Sequence, residues 1–199
     1  MSADPDAAAH SSELTYVYKP SLMGAPWLLR LTPAGLAWEL GRYSGVIRYD
    51  RIKRVRLSFR PVTMQSQRFL TEIWSDDAPK VPIASSSWRS LMEQERLDGA
   101  YVAFVTELHR RLAAAGTRAS FSTGMALPLY AIGILVYIAA MLAFAGITVR
   151  ALQLGEWSAV AVVGAFFALF AWQVGVYFRR NRPGSYRPDA LPPDALPRT

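Results

Sequence analysis

Short alternating runs of apolar and polar side chains occupy the first half of the chain. Apolar residues recur at every second position in 27–31 and again in 36–40, and Pro and Gly residues form a turn between them. A period of two is typical of extended chain, because successive side chains of a strand point to opposite faces. The two segments therefore predict an antiparallel hairpin. Further strands are predicted at 14–20, 68–74 and 80–84, and a second turn at 41–45.

The most basic strand lies in residues 48–60, RYDRIKRVRLSFR, where six cationic side chains accompany a single acid. Val55, Leu57 and Phe59 occupy one face of an extended chain, and cations dominate the other. Cations close to an anionic lipid surface each contribute on the order of 1 kcal/mol of binding. One interpretation is a contact surface for lipid headgroups or an acidic partner; the alternative is a solvent-facing strand whose cations protect a sheet edge. The candidate contacts are Arg48, Arg51, Lys53, Arg54, Arg56 and Arg60.

The hydrophobic period changes after residue 97. Apolar residues then recur at steps of three and four up to residue 115, which predicts one amphipathic helix. These residues are Tyr101, Phe104, Val105, Leu108 and Leu112. His109 is expected to be a solvated histidine on the surface of this helix. The order of sheet and helix predicts an α+β domain over 14–116, with a disordered leader at 1–13 and a linker at 117–124.

Two stretches near the C-terminal end, 125–149 and 157–178, contain no charged residue. Each can span a hydrocarbon core about 30 Å thick, for which a helix needs about 20 apolar residues. Two buried helices of a soluble core are the alternative, but about 120 preceding residues are too few to surround them. The sequence therefore predicts a transmembrane hairpin over 125–178. Small residues suited to close helix contacts, within the hairpin or in oligomers, are Ala139, Ala143, Gly164, Ala168, Ala171 and Gly175.

The flanks of the hairpin indicate its orientation. Several arginines precede the first span and follow the second, whereas the connection 150–156 carries one arginine and one glutamate. Short segments rich in Arg stay in the cytoplasm, and 1–13 lacks the apolar core of a signal peptide. We therefore expect a multi-pass inner-membrane protein with both termini in the cytoplasm. The basic Pro-rich tail, 179–199, repeats PDALP in tandem and is expected to be solvated or, alternatively, to dock on a partner through Leu191 and Leu196.

Residues 31–55 combine a Leu-Thr-x-x-Gly-Leu strand start with a later Ile-x-Tyr-Asp-x-Ile-x-x-Val segment. The matching positions are Leu31, Thr32, Gly35, Leu36, Ile47, Tyr49, Asp50, Ile52 and Val55. Here the chain resembles the pleckstrin-homology-like domains of bacterial membrane proteins. The resemblance implies a curved antiparallel sheet, or partial barrel, closed by the helix near 97–115, and a binding or scaffolding role. The expected fold is α+β: this partial barrel and its amphipathic helix, followed by the two-helix transmembrane hairpin.

Candidate chemistry is sparse in this sequence. The chain contains no cysteine, which excludes disulfides and thiolate nucleophiles, and it contains no phosphate-loop, dinucleotide-binding, metalloprotease or nucleophile-elbow motif. We therefore expect no enzyme activity, no cofactor, no metal and no nucleic-acid partner. The expected partners are membrane lipids and, through the hairpin, a membrane protein complex or a second copy of the chain. The expected function is a membrane-anchored interaction or accessory module; the alternative is an accessory subunit of an inner-membrane enzyme or transporter, docking through its hairpin.

Overall fold

The computed structural model describes residues 13–60, 68–90 and 93–197. The chain divides into two compact units, and the second, Gly124–Pro183, interrupts the first. We call the first unit, which ends at Thr123 and resumes at Gly184, the head domain, and the second unit the helical hairpin. This division differs from the predicted one, in which the tail after the hairpin stands apart from the domain.

The head domain begins with a four-stranded antiparallel sheet whose strands lie in sequence order. They are β1 Leu14–Tyr18, β2 Trp27–Thr32, β3 Gly35–Leu40 and β4 Tyr43–Ile47. The first three confirm predicted strands, whereas β4 occupies much of the segment predicted as a turn. Gly45 explains the difference, because a Cβ there would lie 2.8 Å from Cζ2 of its cross-strand partner Trp38. This glycine makes room for a buried indole inside a strand rather than marking a turn.

The second half of the head domain confirms the predicted order of sheet and helix. Its elements are β5 Ile52–Phe59, β6 Phe69–Ser75, β7 Val81–Ala84, the short pair β8 Ser86–Trp88 and β9 Gln94–Arg96, and helix α1 Asp98–Ala114. The strands from β5 to β7 are antiparallel neighbours. All five apolar residues of the predicted helical stripe are 0% exposed. The fold is therefore α+β with predominantly antiparallel sheets.

Two further strands extend the second sheet, whose order is β11-β10-β5-β6-β7. The strand β10, Ser120–Thr123, lies in the predicted linker and pairs parallel with β5, and β11, Gly184–Ser185, pairs antiparallel with β10. The basic strand β5 therefore has hydrogen-bonded neighbours on both sides. The prediction that its cations protect an exposed sheet edge is wrong, because β10 occupies that edge.

The segment after β11 packs back on the head domain. The Tyr186 ring lies 5.6 Å from that of Phe121 between centroids, and a 3₁₀ turn at Pro193–Ala195 packs against β5. Leu191 and Leu196, the predicted anchors of a docking peptide, lie half-buried against the core of their own domain. Prolines limit backbone hydrogen bonding in this tail, but burial of its apolar side chains still stabilises the packed arrangement.

The helical hairpin consists of α2 Leu127–Gln153 and α3 Trp157–Arg180. Both helices are long and apolar enough to cross a membrane, with mean hydropathies of 2.4 and 2.1 and no buried residue in their most apolar windows. Aromatic rings pack between them, since the Phe144 ring lies 6.2 Å from that of Phe167 and 5.8 Å from that of Phe170. Most other large apolar side chains of the hairpin face outward, as expected of helices solvated by lipid rather than by a protein core.

The predicted small residues of the hairpin divide between its inner and outer faces. The Tyr137 hydroxyl donates a hydrogen bond of 3.3 Å to the carbonyl of Ala171, and a Cβ at Gly175 would lie 3.9 Å from the same hydroxyl. Half-buried Gly164 has no atom within 4 Å of its Cβ position. The exposed residues, which do not pack α2 against α3, are Ala139, Ala143 and Ala168.

Sequence reasoning missed the glycine of the hairpin whose Cβ position has the tightest contact with the other helix. A Cβ at Gly133 would lie 2.9 Å from the ring of Phe178. The aromatic ring therefore occupies space that a side chain on α2 would need. No second small residue stands four positions away from Gly133 on α2, so the spacing rule could not identify it.

Candidate functional site

The outer face of the second sheet carries the candidate site. Along β5, Val55 and Leu57 point inward and are 0% exposed, while Arg54 and Arg56 point to the other face. The antiparallel register then places Trp74 of β6 beside Arg54, and Glu72 beside Arg56. Residues from two strands thus meet on one surface.

Glu72 is the buried centre of this surface, at 1% exposure. Its Oε2 accepts hydrogen bonds from Nη2 and Nε of Arg56 at 2.7 and 3.1 Å, and its Oε1 accepts one from Nζ of Lys80 at 2.9 Å. Nη2 of Arg60 lies 3.6 Å from Oε2. Burial raises the pKa of the Glu72 carboxyl, but the hydrogen bonds from Lys80 and Arg56 outweigh it and hold the pKa below its ordinary value. The carboxylate is therefore ionised and oriented at neutral pH.

Trp74 lies among three of these cations. The distances to its ring centroid are 5.1 Å from Cζ of Arg56, 5.9 Å from Cζ of Arg54 and 5.9 Å from Nζ of Lys80. Such contacts attract a cation to the negative face of an aromatic ring. We call the set the Trp74 cluster; it consists of Arg54, Arg56, Arg60, Glu72, Trp74 and Lys80. Three of its cations lie beside the Glu72 carboxylate and the fourth, Arg54, lies over the Trp74 ring, so the cluster has an excess of three positive charges.

The other predicted contact residues are neutralised by nearby acids. Nη2 of Arg48 lies 2.9 Å from a carboxylate oxygen of Asp50, Nε of Arg51 lies 4.0 Å from one of Asp77, and Lys53 pairs with Asp76. All these side chains are about half exposed or more, so each pair is weak. The six cations predicted as one surface thus form two groups, and only Arg54, Arg56 and Arg60 belong to the Trp74 cluster.

Three members of the Trp74 cluster were absent from the predicted set: Glu72, Trp74 and Lys80. The period of two places residues 72 and 74 on the same side of β6, which is the only sequence signal for them. Their position beside Arg54 and Arg56 depends on the register between β5 and β6, which the sequence alone does not specify.

His109 lies inside the head domain, and its prediction as a solvated surface residue is wrong. Its side chain is 0% exposed. Since a carbonyl can only accept, the 2.7 Å contact between Nδ1 and the carbonyl of Val105 places the proton on Nδ1. Nε2 then accepts a 2.8 Å hydrogen bond from the Tyr186 hydroxyl. Burial lowers the pKa of His109 to about 4, so the imidazole is neutral and joins α1 to the tail.

Residues that carry the sequence resemblance form a tightly packed corner. A Cβ at Gly35 would lie 2.2 Å from the carbonyl oxygen of Ile47, so only glycine fits. The Tyr49 hydroxyl donates a 2.9 Å hydrogen bond to the carbonyl of Thr32. An open depression of about 400 Å³ lies beside this corner, lined by Thr32, Pro33, Tyr49, Arg111, Ala114 and Ala115. Nε of Arg111 is 2.7 Å from Oε1 of Glu107, so the charged group of this lining is already paired.

Metal chemistry has no candidate centre in the part of the chain that the structure describes, because no three His, Cys, Asp or Glu side chains there lie together as metal ligands would. The Trp74 cluster is the strongest concentration of unbalanced charge among the described contacts. Comparison with known proteins adds no further assignment: no protein-family model, no curated protein and no solved structure matches this chain.

Proposed function

We propose that the protein is a non-enzymatic interaction module anchored in the inner membrane, with a head domain of the pleckstrin-homology-like type on the cytoplasmic side. The hairpin holds the chain in the bilayer, and the Trp74 cluster binds anionic lipid headgroups. The observation that carries the proposal is the excess of three positive charges around Glu72 and Trp74, in a chain whose two long helices expose apolar side chains.

Electrostatics gives this contact a modest strength. Each unbalanced cation near an anionic leaflet contributes about 1 kcal/mol, so the cluster supplies about 3 kcal/mol. That value is weak for a free domain, but a tether to the hairpin replaces a bimolecular step by an intramolecular one. Salt weakens the contact, because the Debye length falls to about 8 Å at physiological ionic strength.

The absence of cysteine allows a clean test with a single spin label. Ser120 lies on β10 beside Arg54 in the parallel register, so a label on Ser120→Cys reports the position of the cluster. The full chain is placed in nanodiscs of neutral or anionic lipid that contain a nickel-chelating headgroup. We expect the nickel to broaden the label spectrum more in anionic lipid, and this difference to decline as salt is added.

A label on Ser44→Cys is the matched control, since Ser44 is exposed on β4 of the other sheet. Its broadening is expected to depend little on lipid charge. Equal responses of the two labels, or a response at Ser120 that ignores salt, would show that the cluster does not bind anionic headgroups.

An accessory subunit that docks through its hairpin is the second candidate. The exposed faces of Ala139 and Ala143, four residues apart on α2, favour it, because small residues at this spacing allow close helix approach. Ala143→Leu is expected to disrupt a complex or homo-oligomer measured by light scattering in detergent. The matched control, Ala145→Leu, also places a leucine at an exposed position of α2. Unchanged mass in both variants would exclude this interface.

A further inference from the structure

We infer that the Trp74 cluster is a binding site for a phosphomonoester group. This inference rests on the proposed function and makes it more specific, because it names the chemical group that the cluster binds. Arg54 and Arg56 are two positions apart on β5, so their side chains lie on the same face of the sheet. Residues two apart on a strand are about 6.5 Å apart, a spacing at which two guanidinium groups can approach one tetrahedral anion. Lys80 provides the third charge on the same indole.

Glu72 orients the donors of this site. Arginine has five N–H donors and lysine three. Glu72 engages Nε and Nη2 of Arg56 and one donor of Lys80, which fixes both cations while further donors on each can bind an anion. The Arg56 side chain is 21% exposed and that of Lys80 48%, so both reach solvent. A buried carboxylate that holds two cations in place lowers the entropy lost when a ligand binds.

Charge favours a phosphomonoester over a diester. The cluster has three unbalanced positive charges, and a phosphomonoester carries about −1.5 to −2 at pH 7, whereas a diester carries about −1. Ser122 of β10 lies beside Arg56 in the register and adds a hydroxyl group to the same face. Arginine forks match the geometry of phosphate oxygens. The group can belong to a lipid, as in phosphatidic acid, or to a soluble metabolite.

Titrations of the full chain in an uncharged detergent test the inference. The probes are short-chain phosphatidic acid, short-chain phosphatidylglycerol and glycerol 3-phosphate, and calorimetry measures their affinities. Arg54→Gln removes a cation that contacts Trp74 but forms no ion pair with a described residue, so the domain is expected to stay folded. Arg42→Gln, at an exposed position between β3 and β4, removes the same charge elsewhere and is the matched control.

We expect phosphatidic acid to bind more tightly than phosphatidylglycerol, and Arg54→Gln to weaken its binding about tenfold while Arg42→Gln leaves it unchanged. Glycerol 3-phosphate binding as tightly as phosphatidic acid would support the site and assign it a soluble ligand. Equal affinity for both lipids, or equal effects of the two variants, would overturn the inference. If anionic lipids still drew the Ser120 label to the bilayer in that case, the proposed function would stand, without a preference of the cluster for phosphomonoesters.

Discussion

Acidification is expected to destabilise the head domain through His109. The imidazole is buried, and its pKa in the folded chain is about 4, against an ordinary value of 6.5. At pH 7 the group is neutral in the folded and unfolded chains alike. Between pH 6.5 and about 4 the unfolded chain binds a proton that the folded chain does not, so the free energy of unfolding falls as the pH falls. Below about pH 4 this loss is complete.

The size of the effect follows from the shift in pKa. Each unit corresponds to about 1.4 kcal/mol, so the full loss amounts to about 3 kcal/mol. Protonation of Nε2 would reverse its hydrogen bond with Tyr186, because the imidazolium would donate to the phenolic oxygen and the hydroxyl proton would then need another acceptor. The ring of Phe121, 5.7 Å away between centroids, offers no hydrogen-bond acceptor in compensation.

Urea unfolding of the full chain in an uncharged detergent, followed by tryptophan fluorescence from pH 7 to pH 4, measures this dependence. His109→Gln removes the titrating group but keeps hydrogen-bonding atoms at the site. Carboxylates titrate in both proteins. One of them is Glu107: hydrogen bonds from Arg110 and Arg111 lower its pKa to about 2, although burial opposes this shift. The difference between the two curves therefore isolates His109. Parallel curves for the two proteins would refute this account of the buried imidazole.

Three further predictions concern packing and charge. Arg56→Gln should lower the free energy of unfolding by about 2 kcal/mol in urea titrations, because it withdraws two hydrogen bonds from a buried carboxylate; an unchanged midpoint would contradict this. Gly35→Ala should destabilise the head domain by at least about 2 kcal/mol, since the new Cβ would lie 2.2 Å from a backbone carbonyl oxygen. Its control is Gly99→Ala, whose Cβ would have no atom within 4 Å and which should be neutral or stabilising. Gly133→Val should weaken the packing of α2 against α3 by about 1–3 kcal/mol and so reduce cross-linking between the two helices. Gly146→Val is the control: its Cβ position is open space, so cross-linking should not change.

The elements that the sequence predicted well are those whose pattern is local. The alternation in 27–31 and the helical stripe of α1 each reflect burial on one side of a single element. The inward positions of Val55 and Leu57 on β5 follow in the same way. The two long apolar stretches of the hairpin are also recognisable from composition alone, and both helices lie close to their predicted positions.

The features that the sequence did not predict depend on contacts between distant segments. The strand β10 pairs Phe121 with Val55 across the sheet, and the alternation of Ala119 and Phe121 with two serines is too short to predict a strand by itself. The candidate site likewise required the register that brings Trp74 to Arg54. His109 is polar and was therefore assigned to the surface, but one hydroxyl and one carbonyl satisfy its ring inside the core.

The interruption of the head domain by the hairpin determines when the domain can finish folding. Thr123 and Gly184 are direct partners in the sheet, yet all of Gly124–Pro183 lies between them in the chain. Synthesis runs from the N-terminus, so the ribosome must complete both apolar helices before β11 and Tyr186 can close the sheet and cover His109. Contacts of such long sequence separation form late. A chain truncated anywhere within the hairpin would therefore carry an unfinished, more readily degraded head domain, which couples the survival of the domain to completion of its anchor.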